Sequence, residues 1–478
     1  MLLSELLKNV NYARKNFADL PIKNISTNSA DVCAGDVFVC LVGEKVDGHK
    51  FAFEAVKNGA VAIVCHKYID GIDAVQLKVQ NTRQTLSKLC ANFYDNPQNK
   101  MKFVGVTGTN VKTTTTNLVA HVLQKSGKKV AIVGTNGAFF DGKMFETGLT
   151  TPEPVKLYKL LSQMVDCDVE YVVCEISAHA IAYERLFGIV FDVVGITNIT
   201  QDHLDYFKNM QNYAKTKLDY ILSNNVKSVA WCCDDELIRS SDIIKKTGLS
   251  YGIECPSDVF ATSIFTSSCG TNFFVNFLDN VFEVQTRLIG RFNVQNILCC
   301  ICICAMLGVS VISCKEGISD FVGVEGRMQQ ITLKNKACCI IDYAHTPNAL
   351  ENVLKELKQM PHSRLVLVFG CGGDRDKEKR PIMGKIAEMF CDVVIVTSDN
   401  PRGENAKEII KQITSQTKKC KIIQDRAKAI SYAIKNSKQG DVIAICGKGH
   451  EKYQIIGDKK LYFSDLEEVL RANEKIKV

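Results

Sequence analysis

The eleven residues from Gly105 to Thr115, GVTGTNVKTTT, constrain this chain most. An apolar run, Phe103–Val106, leads into a glycine turn, and a helix-like stretch from Thr114 to Gln124 follows. A strand that hands over to a helix through a tight turn belongs to an α/β layer, where both elements bury their apolar sides against one core. The same order aims backbone N–H groups, and the positive end of the helix dipole, at an anion. Gly108, Thr109, Asn110, Lys112, Thr113 and Thr114 are therefore candidate nucleotide contacts, with Lys112 reaching the outer phosphates and the Thr113 hydroxyl ligating Mg²⁺. One position departs from a phosphate loop: the glycine expected before the lysine is Val111. An ordinary Thr-rich helix start after a β-turn competes with this reading.

A chain of 478 residues is too long for one core and suggests about three domains. Hydrophobic content of 46% and charge of 23% match a soluble globular protein, and a net charge of +7 without a long basic run fits small anionic ligands better than nucleic acid. The 21 cysteines are odd in number and form no paired CxxC knuckles. Several sit as Cys-Cys pairs in apolar runs, such as Cys232-Cys233 and Cys338-Cys339, where free cysteine packs as a small hydrophobe. A reducing, cytoplasmic setting is expected, and MLLSELLKNV lacks the order of a signal peptide. The stretch Ile297–Cys314 has no charge, but Gly308, Ser310 and Ser313 interrupt it; a buried helix ending near Gly308 is expected, with no membrane span.

The organisation expected is α/β throughout, with boundaries at 1–98, 99–325 and 326–478. Asn96–Lys100 makes a polar break after the first region, and Gly323–Gly326 a second hinge. In the middle region, Val130–Val133, Tyr171–Cys174 and Val193–Thr197 read as strands separated by helical patterns, the signature of a doubly wound parallel sheet. Cys338–Ile341, Leu365–Phe369, Val393–Thr397 and Val442–Cys446 repeat the pattern in the last third. Ligands of such sheets gather at the carboxyl ends of strands, where nearly every polar cluster of this chain lies.

Those clusters carry chemistry. Glu175 closes a strand opposite the phosphate loop, a usual place for a second Mg²⁺ anchor and also for a helix cap. NITQDHLDY brings Asp202, His203 and Asp205, and Tyr213 and Lys217 follow on a helix. DYAHTPNAL, FGCGGDRDKEKRP, DNPRGE and GKGHE each follow a strand and mix small or turn-forming residues with charge. Four such loops are hard to explain as solvated surface.

Together these segments resemble the Mur ligases, ATP-dependent enzymes that build the peptidoglycan stem peptide. The similarity runs from about Asn28 to Asp465 through GDVFVCLVGEKVDGHKF, TTPEP, EISAHA, TNITQDHLDYF, LIGRFNVQN, EGRMQ, DYAHTP and GCGGDRD. It is strongest to the branch that joins a diamino acid to UDP-N-acetylmuramoyl-L-alanyl-D-glutamate. The resemblance implies an N-terminal domain for the UDP end, a central ATPase domain and a C-terminal Rossmann-like domain for the amino acid. It implies that Ser29 contacts uracil and that Thr150, Thr151, Ser177 and Arg185 hold the muramoyl-dipeptide. Asn293, Arg327, Asp342 and His345 join the ATP contacts. Thr113, Glu175 and His203 become metal ligands, with Lys217 carbamylated by CO₂ to supply an anionic one; Lys112, Lys217, His203 and Glu175 are the catalytic set. The implied reaction moves the γ-phosphoryl of ATP onto the D-glutamyl side-chain carboxylate, and the acyl phosphate is attacked by the amine of the incoming amino acid.

The quartet Asp399-Asn400-Pro401-Arg402 bears on which amino acid enters. Meso-diaminopimelate has an amine and a carboxylate at its far end, where lysine has only an amine, and a guanidinium fork matches a carboxylate through two hydrogen bonds. By resemblance Arg402 plays that part, helped by Arg375, Asp399, Asn400, Gly447 and Glu451. Smaller departures accompany Val111: Ala30 stands where the family has arginine, Ala178 where it has a second serine, Phe207 for histidine and Tyr183 for glutamine. The alternatives are a relative adding L-lysine and a weakened, regulatory relative; small-molecule substrates only, no nucleic acid, no membrane and a monomer are expected.

Overall fold

A computed structural model describes residues 1–15, 19–44, 46–267, 270–278 and 280–476. Lys45, within the GDVFVCLVGEKVDGHKF segment, and Cys269 lie outside the described residues. The chain forms two compact units: Met1–Phe260 with Phe277–Asp279 and Gln295–Gly317, and Ala261–Asn276 with Asn280–Val294 and Ile318–Val478.

The first unit holds two sheets. Strands Asn24–Ser26, Asp36–Val39, Ala62–Cys65 and Val75–Lys78 pair in parallel, and Ala13–Lys15 runs antiparallel along the last. Asp95 and Asn96 then take left-handed backbone (φ 56° and 49°), so the polar break is an ordered turn into the 3₁₀ segment Pro97–Asn99. In the second sheet Lys102–Thr107 lies between Tyr171–Glu175 and Phe191–Ile196, all parallel; Val130–Gly134 and Val226–Cys232 extend it on either side. Register aligns Glu175 with Val106 and Ile196 with Thr107. The loops after these three strands therefore start level at one edge, as a doubly wound sheet requires of a ligand site.

Helix Lys112–Lys125 follows the first of those loops and ends at Ser126, where Gly127 (φ 82°) supplies the left-handed stop. The uncharged stretch divides between two helices, Arg291–Met306 and Val311–Asp320. Small cysteines let the first pack closely: Cys299 Sγ and Ile303 stand where a Cβ on Gly195 would be, at 2.7 and 2.9 Å. Among the described residues no helix is long and apolar enough to cross a membrane. The described cysteines are all free, most are buried, and burial pushes the Cys174 thiol up to about 12.

The main sheet of the second unit has the order Gln329–Thr332, Cys338–Asp342, Val442–Cys446, Leu365–Phe369, Val393–Val396, Lys421–Ile422; the first pairing is antiparallel and the others parallel. Pro347–Gln359, Lys379–Phe390 and Ala406–Thr414 cover one face, Arg426–Lys435 and Asp465–Glu474 the other. Asp342, Cys446, Phe369 and Val396 are in register, so four polar loops again begin at one level. The last strand of this sheet in chain order, Val442–Cys446, is central, which sets its GKGHE loop between the loops of its neighbours.

Candidate active site

The loop Gly108–Val111 is held by the loop after the adjacent strand. Gly108 has φ 142°, and a Cβ there would lie 2.0 Å from Thr197 Oγ1, so no larger residue fits. Thr109 N–H donates to Asn198 O at 2.8 Å, Asn110 N–H to Asn198 Oδ1 at 2.9 Å, and Thr197 Oγ1 to Asn110 O at 2.9 Å. Lys112 Nζ folds back onto the carbonyls of Gly108 and Thr109 (2.9 and 2.8 Å). Thr113 and Thr114 are buried in the first helical turn. Val111, the N-cap, has φ 60° and ψ 8° with no side-chain cap bond. The position does require left-handed backbone, which a β-branched residue resists.

Lys217 is buried against the same loop, donating to Thr107 Oγ1 (3.2 Å) and Gly108 O (3.1 Å). Burial, reinforced by the cation of Lys112, holds its pKa well below the usual lysine range. Its ammonium sits 5.2 Å from the centre of the Tyr213 ring, and Tyr213 Oη meets Thr109 Oγ1 at 3.1 Å. The His203 ring lies on another side of Tyr213, 6.4 Å between centroids. Tyr213 thus gathers the phosphate loop, Lys217 and His203 around one side chain. His203 has φ 54°, its Nε2 lies 3.4 Å from the Asp202 carboxylate, and it stacks edge-on with His179 at 4.7 Å. Burial and then the neighbouring His203 hold His179 below the ordinary imidazole pKa.

Glu175 is 1% exposed, and its carboxylate accepts from Thr135 N–H (2.9 Å) and Thr135 Oγ1 (3.0 Å), neutral donors both. Gly134 makes room for it: a Cβ there would meet Oε1 at 2.3 Å. A buried carboxylate held by neutral donors is suited to a hard ion such as Mg²⁺. Among the described residues no three His, Cys, Asp or Glu side chains form a ready cage. The Glu175 carboxylate and the Thr113 hydroxyl are oxygen donors of the kind such an ion takes, and a full set would need further oxygens from a bound ligand.

Next to Glu175, Thr151 Oγ1 donates to its carbonyl at 2.8 Å and accepts from Ser177 N–H at 3.2 Å. Thr150 Oγ1 touches Thr135 Oγ1 (3.2 Å), and Arg185 donates to Thr151 O (3.2 Å) while pairing with Glu153 (2.7 Å). The four residues expected at the muramoyl-dipeptide are thus one cluster continuous with Glu175. Ser29 sits apart in the first sheet's layer, buried, with its hydroxyl donating to Glu54 at 2.7 Å.

In the second unit Asp342 accepts from Met328 N–H and Ala344 N–H, each at 2.8 Å. Burial pushes its carboxyl up, against the pull of Arg327. Arg327 packs 4.9 Å from the centre of the Tyr343 ring, and its Nε is buried without a hydrogen-bond partner. His345 Nδ1 meets Tyr343 O at 2.9 Å, and burial holds its pKa down. Asn293 is buried and donates to Ile289 O at 2.8 Å.

The remaining expected residues lie together on the loops after Phe369, Val396 and Cys446. Arg402 (φ 50°) donates from Nη1 to Gly373 O at 2.9 Å, and Gly373 N–H donates to Asn400 O at 2.8 Å. Asp399 Oδ1 accepts from Asn400 N–H at 2.6 Å, and a Cβ on Gly447 would lie 2.7 Å from its other oxygen. Asn400 Nδ2 donates to Glu451 Oε2 at 2.8 Å. Arg375 is exposed and bonds only its own loop, at Asp374 O. Burial, and after it the charge of Glu451, pushes the Tyr453 hydroxyl up; Arg402 and Asp399 also act on it, so both signs of charge converge there.

Family models match along most of the chain: "Mur ligase family, catalytic domain" over residues 21–94, "Mur ligase middle domain" over 106–304 and "Mur ligase, glutamate ligase domain" over 326–449. The chain belongs to the Mur ligase family. It is 39% identical to a UDP-N-acetylmuramoyl-L-alanyl-D-glutamate–2,6-diaminopimelate ligase of Clostridium acetobutylicum, over 94% of each chain. The same identity, over 99% of this chain and 100% of the other, relates it to the enzyme so named from Caldanaerobacter subterraneus. A solved structure of a UDP-N-acetylmuramoyl-L-alanyl-D-glutamate–2,6-diaminopimelate ligase superposes with a TM-score of 0.74 at 28% identity, covering 99% of both chains.

Several residues of this Mur ligase site escape sequence reasoning. Thr135 binds Glu175 from 40 positions away, and nothing in its own neighbourhood announces that. Arg380 is fully buried and grips both oxygens of Glu404 at 2.9 Å, while Glu404 also accepts from Asp374 N–H; the pair ties the Arg375 loop to the Arg402 loop. Lys448, inside GKGHE, is fully buried, and nothing in the composition of that loop announces it.

Proposed function

We propose that this Mur ligase is an ATP-dependent enzyme that joins meso-diaminopimelate to the D-glutamyl side-chain carboxylate of UDP-N-acetylmuramoyl-L-alanyl-D-glutamate, in peptidoglycan synthesis. The observation that carries the amino-acid choice is the convergence of Arg402, Asn400 and Glu451 on the segment Tyr453–Ile455: Arg402 N–H donates to Ile455 O, Ile455 N–H to Asn400 Oδ1, and Asn400 Nδ2 to Glu451 Oε2. A guanidinium and a carboxylate in one cluster complement the carboxylate and ammonium at the far end of diaminopimelate, whereas lysine would leave the guanidinium unmatched.

The phosphate loop and Lys112 bind the triphosphate, and Lys112 leaves the carbonyls of Gly108 and Thr109 to do so. Asn293, Arg327, Asp342 and His345 frame the rest of the nucleotide; the unpartnered Nε of Arg327 supports a ligand there. Thr150, Thr151, Ser177 and Arg185 orient the dipeptide carboxylate beside Glu175, and Ser29 serves the uracil end once it gives up Glu54. Thr113, Glu175, His203 and a carbamate of Lys217 would hold Mg²⁺, which would supply charge neutralisation at the transferring phosphoryl group. Carbamylation needs a neutral amine, and the burial that depresses the pKa of Lys217 favours that form. The glutamyl carboxylate attacks the γ-phosphorus, ADP leaves, and the acyl phosphate is opened by the amine, which loses a proton as the amide forms and phosphate departs. We assign residues 1–98 to the UDP end, 99–325 to the ATPase domain and 326–478 to the amino acid, in a cytoplasmic monomer.

A second reading, a weakened relative, draws on Val111 at φ 60° in the phosphate loop. One assay separates the readings: phosphate release from ATP with the UDP-dipeptide and either diaminopimelate or L-lysine. Release that requires both dipeptide and diaminopimelate is expected. Release with lysine at equal efficiency overturns the specificity, and no release with either amino acid favours the weakened relative.

A further inference from the structure

Among the described residues, one fully buried lysine has no task in the reaction as derived. Lys448, in the loop between Gly447 and Glu451, has no exposed surface. A fully buried lysine is rare unless its ammonium is held, and here it is. Its Nζ donates to Asn400 Oδ1 at 3.1 Å and to Glu451 Oε2 at 3.0 Å. Asn400 Nδ2 closes a triangle on the same Oε2 at 2.8 Å, and Ile455 N–H fixes Asn400 Oδ1 from behind at 3.0 Å. Glu451 Oε2 therefore carries two donors, while Oε1 has only the Tyr453 hydroxyl, at 3.5 Å.

We propose that Lys448 is a positioning residue for amino-acid recognition: it locks Glu451 and Asn400 so that Glu451 presents a single oxygen, Oε1, to the far ammonium of the incoming diamino acid. The inference rests on the diaminopimelate reading above. A carboxylate free to rotate accepts an ammonium from many directions and must be ordered on binding. One already tied through its second oxygen accepts from one direction with that ordering done beforehand. The lysine also keeps the asparagine amide in one orientation, since Asn400 must show its carbonyl to Nζ and its NH₂ to Glu451.

The test compares meso-diaminopimelate with 2-aminopimelate, which keeps the far carboxylate and lacks the far amine. Lys448→Met should raise KM for diaminopimelate roughly 10- to 100-fold, the range for losing a hydrogen bond to a charged group. KM for 2-aminopimelate and for ATP should stay within about 2-fold. In a Glu451→Gln background the same substitution should add nothing to the diaminopimelate KM. Equal losses with both amino acids, or full additivity with Glu451→Gln, would mean that Lys448 acts through packing and overturn the proposal. If Lys448→Met does not fold, Lys448→Gln carries the same comparison. Wild-type enzyme unable to use diaminopimelate would instead overturn the underlying reading, and this inference with it.

Discussion

Replacing Val111 by glycine should make this enzyme both more stable and better at using ATP. Val111 sits at φ 60°, ψ 8° as N-cap of helix Lys112–Lys125. An L-residue in that region is disfavoured by about 1–2 kcal/mol, and a β-branched side chain stands at the upper end. Glycine removes this strain but adds about 0.5–1 kcal/mol of unfolded-state entropy. The net gain is therefore about 1–1.5 kcal/mol, a rise of about 2–6 °C in the melting of the unit that holds the loop. The backbone contacts should survive, because Val111 contributes only its carbonyl, which accepts from Thr115 N–H and Thr115 Oγ1, both at 3.1 Å. The half-buried isopropyl group precedes Lys112 in the chain, and a smaller side chain there should ease the approach of the outer phosphates. Its removal should lower ATP KM or raise kcat about 3- to 10-fold, equivalent to about 0.6–1.4 kcal/mol. Val111→Ala separates the two causes: it shrinks the side chain but keeps a Cβ in left-handed backbone, so it should improve kinetics while recovering less of the thermal shift. Calorimetry and initial rates at varied ATP read both effects. Unchanged melting and unchanged ATP constants in Val111→Gly would refute the reasoning.

Three further outcomes are expected. Lys217→Ala should abolish phosphate release, and ¹³CO₂ labelling should find a carbamate in the wild type that the variant lacks. The native pKa of Lys217 lies below the unfolded one, so the unfolded chain binds more protons and stability from this site rises with pH. The melting temperature of Lys217→Met should therefore exceed the wild type's by most at low pH, with the difference shrinking as pH climbs toward the unfolded lysine value of ~10.4. Glu404, whose carboxyl Arg380 holds down at about 2, should contribute stability that is full above the unfolded glutamate pKa and lost as pH falls toward that value; Glu404→Gln should flatten this loss in acid melts and raise KM for diaminopimelate. Arg402→Lys should cut kcat/KM for diaminopimelate by about 10- to 100-fold by removing the fork, leaving ATP KM unaltered.

What the sequence discloses about this protein follows from the range of the forces involved. Strand runs such as Leu365–Phe369 and Val442–Cys446 match the observed strands because both faces of a covered parallel sheet demand apolar residues, and that demand is written locally. Gly108 and Lys112 are legible for the same reason, since turn, helix start and cation fall within a few residues. Strand order is not local. Nothing in Val442–Cys446 says that it enters between two earlier strands, and that insertion is what brings Glu451 to Asn400 and Lys448 into their company. Likewise Thr135 reaches Glu175, and Glu404 reaches Arg380, only through register and packing. A buried ion pair has no periodicity to betray it, because each partner reads as an ordinary charged residue of a helix or loop.

Backbone strain supplies the information that patterning lacks. Val111, His203, Asp374 and Arg402 all hold φ between 50° and 60° without being glycine. Each stands at the carboxyl edge of a parallel strand, within a few residues of a group proposed to bind substrate. Left-handed backbone at such residues persists only where the surroundings over-determine it. For Arg402 the surroundings are visible: its N–H donates to Ile455 O, Gly457 N–H donates back to its carbonyl, and Gly373 O fixes the guanidinium. The strain is thus balanced by contacts that aim a side chain. Val111 differs, since its side chain makes no cap bond and its position would suit glycine better. It is the one of the four where strain has no visible return in recognition, and for that reason the substitution at 111 is the sharpest probe of how much of this loop's geometry serves catalysis.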